Sequence, residues 1–312
     1  MKKAFWGNSL LLLAAVIWGF AFVAQVLSVE TGLGPVSFNA VRFTLGAIAL
    51  IPVVLIFDRK GIKNIKRTIP VSLISGTLLF FAVNLQQYAL TINANPGFAG
   101  FITALYTVWT PIAYFAFFKK KTTANVWIAL VIALIGFYLL CMTDGGGVSF
   151  GLDVVALLIS TLFWTAQILL VDHFVKEISP LWLSCGQIFV CGILSFAYAV
   201  IFERSSFTLD AVMASKWSIL YCGLMSVGIA YTLQVVGQKL TNPVVAVILM
   251  STESVFSAVG GALWNLIVPV AMHINQDISA VGYVGCGVIF VGVVLSQIDV
   301  GAIIKGKKNI SD

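Results

Sequence analysis

Charged side chains are scarce in this sequence, at 10% of 312 residues, against about 25% in soluble domains. Polar stretches are short: none between the apolar runs exceeds about fifteen residues, which leaves no room for a soluble domain. The two histidines, His173 and His273, lie far apart, with no HExxH or paired-aspartate pattern near them. That excludes a histidine-built metal site. It also removes the groups that a membrane-embedded lipid- or isoprenoid-modifying enzyme would bring together near an interface. The cysteines (Cys141, Cys185, Cys191, Cys222 and Cys286) contain no CxxC pair and read as buried small hydrophobes. Gly145-Gly146-Gly147 and Gly282, Gly285 and Gly287 neither follow a strand nor precede a Walker lysine, so no ATP drive is expected.

What remains is apolar: 60% of the residues, with a mean hydropathy of +1.03. A hydrocarbon core about 30 Å thick needs about 20 apolar residues per helix. The pattern predicts spans at Gly7–Ser28, Pro35–Phe57, Pro70–Thr91, Pro96–Phe118, Asn125–Met142, Leu152–Val171, Pro180–Phe202, Trp217–Gln238, Pro243–Asn265 and Ile278–Ile298. All are expected to be helices, because a lipid-exposed backbone must satisfy its hydrogen bonds within the segment. No period-two alternation supports a β-barrel.

With the N-terminus inside, fifteen of the eighteen Lys and Arg residues fall on the cytoplasmic side, including Lys119, Lys120, Lys121, Lys305, Lys307 and Lys308. Only Arg204 and Lys216 fall outside, and Arg42 lies within a span. This bias places both termini in the cytoplasm. Glu30, Asp144, Glu203, Asp210 and Asp277 sit outside or at that edge. The net charge of +6 needs no nucleic-acid partner; the basic runs are topology signals at the bilayer surface. Lys2-Lys3 and the apolar run behind them read as a retained signal anchor. Short loops suit a bacterial inner membrane.

The chain is also duplicated. Trp18 recurs as Trp164, 146 residues on, and Pro35 as Pro180, at 145. Gln87 recurs as Gln234, and Asn95-Pro96 as Asn242-Pro243, both at 147. The repeat is five helices long, an odd number, so the second copy enters the membrane from the opposite side. The expected fold is an all-α integral membrane protein: ten transmembrane helices as two inverted five-helix repeats in one membrane domain. The first repeat covers 1–122 plus 123–146, and the second 147–312. Transporters built this way hold substrate near the midplane between repeats. Each Asn-Pro pair suits an N-cap followed by the first helical position.

Trp18-Gly19 with Phe22, Pro35, Ala40-Val41-Arg42-Phe43 and Tyr88-Ala89-Leu90, followed by Ala230-Tyr231, Leu240-Thr241-Asn242-Pro243 and Glu253-Ser254-Val255-Phe256, resemble in order the EamA family of the drug/metabolite transporter superfamily. The resemblance implies ten helices, cytoplasmic termini, and export or exchange of small metabolites, often amino acids, with no cofactor. Two departures stand out. The Gly-Glu pair that often closes spans 4 and 9 is missing here, and Tyr106 occupies the first-half position matching Glu253.

Glu253 is the one carboxylate deep in a span, ten residues past Pro243, or about 15 Å at 1.5 Å per residue. An ionisable group at that depth is costly and marks function by default. It could contact a substrate amine or carry a coupling proton; equally it could be a packing carboxylate held by neighbouring hydroxyls or amides. Arg42, seven residues past Pro35, could meet a substrate carboxylate in a bidentate fashion, snorkel, or brace a helix end. Asn84, Gln87 and Tyr88 share one face of span 3, and Tyr231 and Gln234 one face of span 8, at helical spacing. These stripes line a cavity for a small zwitterion or hold helices together. Trp18 and Trp164 are mid-span, away from the interfacial belts, as a stacking wall or as packing. Gln167 and Gln25 are weaker candidates. The expected partners are a small-molecule substrate and the lipid bilayer, and monomer and homodimer are both compatible with the sequence. A membrane scaffold or assembly subunit without transport is the alternative, and a lipid-modifying enzyme a more distant one.

Overall fold

In the computed structural model residues 2–119, 124–141, 151–275 and 280–297 are described. Lys120, Lys121, Asp144, the Gly145–Gly147 loop, Asp277, Lys305, Lys307, Lys308 and the expected junction between the repeats lie outside them. The protein is an all-α, multi-pass membrane protein. Among the described residues eight helical stretches are long and apolar enough to cross a bilayer. Two shorter apolar helical runs, Trp127–Gly136 and Ala280–Gly292, fall where the fifth and tenth spans are expected.

The helices are α1 (Lys2–Val29), α2 (Pro35–Phe57), α3 (Ile65–Ile92), α4 (Pro96–Thr103), α5 (Tyr106–Phe118), α6 (Ala124–Cys141) and α7 (Leu152–Phe174). They continue with α8 (Pro180–Phe202), α9 (Leu209–Ala214), α10 (Lys216–Leu220), α11 (Tyr231–Leu240), α12 (Pro243–Met250), α13 (Glu253–Ile267) and α14 (Ala280–Gln297). A π-helix, Tyr221–Ala230, joins α10 to α11. Pro35, Pro96, Pro180 and Pro243 each sit at the start of a helix, where the missing N–H costs nothing. Asn95 and Asn242 cap as their sequence context suggests, accepting from the Phe98 and Val244 amides at 3.0 and 2.9 Å.

Two spans that hydropathy reads as single helices are interrupted. The fourth breaks at Ala104 and Leu105, and the ninth at Ser251 and Thr252. All four residues have ψ between −11° and −13°. The local bonds tighten to i→i+3: Thr107 N–H donates to the Ala104 carbonyl at 3.0 Å, and Ser254 N–H to the Ser251 carbonyl at 3.2 Å. Hydroxyls satisfy the loosened carbonyls. Thr107 donates to Ala104, Thr110 to Tyr106 at 2.8 Å, Ser251 to Ile248 at 2.9 Å and Thr252 to Leu249 at 2.7 Å. Such side-chain bonding is how a broken helix survives at membrane depth.

The helices pack as crossed pairs: α2 along α8, α3 along α7 and α8, α1 against α11 and α13, and α6 against α14. The pair α2 and α8 is clamped at both ends. Glu203, which follows α8, accepts from the Val36 and Ser37 amides at 3.1 and 2.7 Å and from the Ser37 hydroxyl at 2.8 Å. At the other end Asp58, which follows α2, accepts from the Ser179 hydroxyl that caps α8, and its carbonyl accepts from the Trp182 indole at 2.9 Å. Glu203 satisfies orphan amides at the N-terminus of α2, and Asp58 holds the serine that caps α8; both place a negative charge where a helix N-terminus favours it. Losing such a cap costs about 1–2 kcal/mol. Glu203→Ala should therefore lower the thermal midpoint in detergent by a few degrees, with Glu203→Gln between; an unchanged midpoint in both variants would contradict the clamp.

Candidate functional site

The interruptions in the fourth and ninth spans face each other. Tyr106 opens α5 and Glu253 opens α13, and the Tyr106 hydroxyl donates to Glu253 Oε1 at 3.2 Å across 147 residues of chain. Both are buried. The positions that duplication makes equivalent are thus in direct contact.

They line one shared cavity of about 30 Å³, room for a water molecule or two in this conformation. From α1 come Trp18, Phe22 and Gln25, one helical stripe. From α7 come Trp164 and Ile168, and from the π-helix and α11 Ser226, Tyr231 and Gln234. Thr103, Met250, Gln86 and Arg42 complete the wall. The aromatic side is built around Tyr231. Trp164 stacks on it at 6.0 Å and 11°, Trp18 meets it edge-on at 5.1 Å, and Phe43 leans on it at 5.8 Å. The Trp18 indole donates to the Ser226 carbonyl at 3.3 Å, inside the π-helix, where the wider winding leaves backbone acceptors off the usual ladder.

Arg42 is buried, at 3% exposure, so it does not snorkel. Its Nε donates to Asn39 Oδ1 at 2.6 Å, and its guanidinium carbon lies 5.3 and 5.2 Å from the Phe38 and Phe43 ring centres. Among the described residues no carboxylate oxygen lies within 4.0 Å of it, and the one ion pair is Lys176 with Asp172. A buried cation and a buried carboxylate therefore line the same cavity without pairing with each other.

The remaining candidates from the sequence stand at different distances from this cavity. Asn84 lies behind it: its Oδ1 accepts from Asn39 at 2.8 Å, and its Nδ2 donates to Phe80 O and Ser195 Oγ. Through Asn39 it fixes Arg42. Gln87 donates to the Gln25 carbonyl at 3.3 Å. Gln167 accepts from Gln234 at 3.2 Å and donates to Gln187 at 2.9 Å, which also accepts from Ser75 at 2.5 Å. Tyr88 is 45% exposed on the outside of the bundle and does not reach the cavity. The same helix presents Gln86 instead, which the stripe Asn84, Gln87 and Tyr88 passes over. Thr103, Ser226 and Met250 carry no distinctive spacing; Thr103 and Met250 precede the helix breaks and Ser226 lies in the π-helix, none of which hydropathy reveals.

Four buried polar atoms on residues of this wall have no hydrogen-bond partner within the protein: Gln25 Oε1, Gln234 Oε1, Thr103 Oγ1 and Trp164 Nε1. An unsatisfied buried group costs about 1–3 kcal/mol. A polar guest with donors for the two amide oxygens and an acceptor for the indole would relieve that cost.

Comparison with known proteins agrees with this architecture. The sequence model of the EamA-like transporter family matches residues 5–142 and again 152–298. An uncharacterized transporter from Archaeoglobus fulgidus is 27% identical over 247 residues, covering 79% of this chain and 74% of that protein. A protein of known crystal structure superposes with a TM-score of 0.69 at 17% identity, over 91% of this chain and 96% of that one, which shows a shared fold.

Proposed function

The chain belongs to the EamA-like transporter family, and on that premise we propose that it moves amino acids, by export or exchange, through alternating access around the Tyr106–Glu253 contact. Membership makes it a secondary membrane transporter of small metabolites rather than an enzyme. The observation that carries the amino-acid reading is the unpaired arrangement of Arg42 and Glu253 on one cavity wall. A zwitterion offers a carboxylate to the first and an ammonium to the second, so each buried group meets an opposite charge when substrate is bound. Gln25, Gln234 and Trp164 supply further acceptors and a donor, and Trp18, Trp164 and Tyr231 a stacking surface for a side chain. Tyr88 serves the lipid face rather than the substrate; Asn84, Gln87 and Gln167 act through the residues they hold.

Ten spans in two inverted repeats, 1–146 and 147–312, complete the proposal. Support comes from the two-part family match, the paired helix breaks and the reciprocal Asp58 and Glu203 clamps. The lysine-rich ends then face the cytoplasm, and the site lies between repeats at the midplane, where paired half-helices meet substrates in other transporters. A chain acting as a scaffold has no use for such a cavity.

Ligand-induced thermal stabilisation of the detergent-solubilised protein tests the zwitterion reading. At about 100 times its Kd a true ligand stabilises by about 2.7 kcal/mol. Amino acids are expected to raise the midpoint, while their decarboxylated amines and their deaminated acids at equal concentration do not. Equal shifts from an amino acid and its amine would remove Arg42 from the site. Shifts from none of the three would overturn the amino-acid reading.

A further inference from the structure

Arg42 of α2 has a counterpart in α8. It stands seven residues past Pro35, and Gln187 stands seven past Pro180, so each lies about 10 Å into its helix. The surroundings correspond as well. Arg42 lies beside Cys222, and a Cβ on Gly223 would come within 3.1 Å of the Arg42 carbonyl and press on Leu45. Gln187 Oε1 accepts from the Ser75 hydroxyl at 2.5 Å, and a Cβ on Gly76 would come within 2.7 Å of the Gln187 carbonyl and press on Val190. Ser75-Gly76 and Cys222-Gly223 are 147 residues apart, the offset that also separates Tyr106 from Glu253. Leu45 and Val190 are 145 apart, like Pro35 and Pro180. At each crossing a glycine lets two helices approach closely. The two positions lie in opposite halves of the bundle: α8 starts beside Asp58, next to Arg59 and Lys60, whereas α2 starts beside Glu203.

The two counterparts differ in access. Arg42 lines the shared cavity. Gln187 does not, and it is wholly buried, at 0% exposure. Gln167 stands between: it donates to Gln187 at 2.9 Å and accepts at 3.2 Å from Gln234, which does line the cavity. These three amides point the same way along their chain, so it ends in a free donor. Gln187 Nε2 has no hydrogen-bond partner within the protein. A role in packing alone needs only Oε1, which two donors already fill. The N–H groups of Nε2 hold nothing together in this conformation, and burying them unmet is unfavourable.

We propose that Gln187 is a second contact for the substrate carboxylate, used when the protein opens to its lysine-rich side. This rests on the reading above, in which amino acids are carried by two inverted repeats around a midplane site. When such repeats exchange conformations, the residue that lines the cavity in one state is shut away in the other, and its counterpart takes its place. Arg42 meets the carboxylate in the conformation described here; Gln187 Nε2 meets it after the exchange, once Gln167 no longer stands between. The exchange replaces a guanidinium by a neutral amide, and hydrogen bonds from a charged donor are the stronger kind. Substrate is therefore held less tightly on the lysine-rich side.

Affinity read separately at the two faces tests this. Labelled amino-acid uptake is measured in right-side-out vesicles and in inside-out vesicles, which present the lysine-rich face, with the decarboxylated amine as competitor. Gln187→Met keeps length and volume. Gln187→Glu keeps an acceptor for Ser75 and Gln167 and puts an oxygen where the free N–H groups were. In both variants KM at the lysine-rich face should rise about tenfold or more, the scale of a lost hydrogen bond to a charged group. The preference for amino acid over amine should fall there by the same factor. KM and preference at the opposite face should not change, and a thermal midpoint near that of the unaltered protein confirms folding. Unchanged KM at the lysine-rich face in both variants, or equal shifts at both faces with the preference intact, overturns the inference and leaves the amino-acid reading standing. Absence of saturable amino-acid uptake by the unaltered protein at either face overturns that reading, and this inference with it.

Discussion

Glu253→Gln should lower saturable flux in proteoliposomes by at least an order of magnitude while leaving yield and thermal midpoint close to those of the unaltered protein. Glutamine is nearly isosteric, and its carbonyl oxygen can still accept from the Tyr106 hydroxyl, the contact that holds the two half-helix ends together at 3.2 Å. What disappears is the group that can carry a negative charge beside a substrate ammonium. A hydrogen bond to a charged group contributes about 1.5–3 kcal/mol, and each 1.4 kcal/mol is tenfold, so a loss of about 10- to 100-fold follows if the carboxylate meets a substrate ammonium. Tyr106→Phe separates the two roles: it keeps the charge, removes the donor, and should cost less flux than Glu253→Gln. Initial rates of labelled amino-acid uptake measure both. Flux and pH dependence unchanged in Glu253→Gln would make Glu253 a brace between α5 and α13 and take it out of the substrate pathway.

Gly19→Val should be as damaging by a different route. Gly19 lies on α1, where a Cβ would meet the side chain and backbone of Phe256 and the carbonyl of Glu253. Backbone atoms cannot rotate away, so any side chain pushes α13 off α1. Overpacking of this kind costs about 1–3 kcal/mol, and a displacement of 1 Å at a site can cost about 100-fold in rate. Both Trp18 and Glu253 would move. The expected result is a lower thermal midpoint together with near-complete loss of flux. Gly287→Ala is the matched control, because nothing lies within 4 Å of the Cβ it would add. Full flux in Gly19→Val would show that the α1–α13 contact is compliant and does not set the geometry of the site.

Much of this was written in the sequence through period and duplication. Hydropathy marks where helices run, and Pro35, Pro96, Pro180 and Pro243 mark where four of them begin, because proline is favoured at the first helical position; Pro52, Pro70 and Pro111 instead lie inside helices. The near-equal spacing of Trp18 and Trp164, and of Tyr106 and Glu253, singles out residues that the structure gathers around one cavity. The breaks at Ala104-Leu105 and Ser251-Thr252 stay hidden, since serine and threonine bonding to the preceding turn leaves hydropathy almost unchanged. The π-helix at Tyr221–Ala230 is hidden for the same reason: it alters winding and leaves composition alone. Helical spacing also cannot say which face of α3 turns inward. It links Asn84, Gln87 and Tyr88, whereas packing against α7 and α8 sends Tyr88 to lipid and Gln86 to the cavity. Arg42 reads as ambiguous because its fate depends on Asn39 and Asn84, and that pairing spans two helices.

Zwitterionic amino acids crossing through the cavity between Arg42 and Glu253 are the proposed cargo. The most direct measurement is entrance counterflow in proteoliposomes with a labelled panel of small neutral and aromatic amino acids, each with and without a pH gradient. Saturable counterflow of at least one member, competed by other amino acids and absent from protein-free vesicles, is the predicted result. Counterflow of none of the panel, alongside counterflow of a sugar, nucleoside or organic cation, would keep the family and contradict the substrate class.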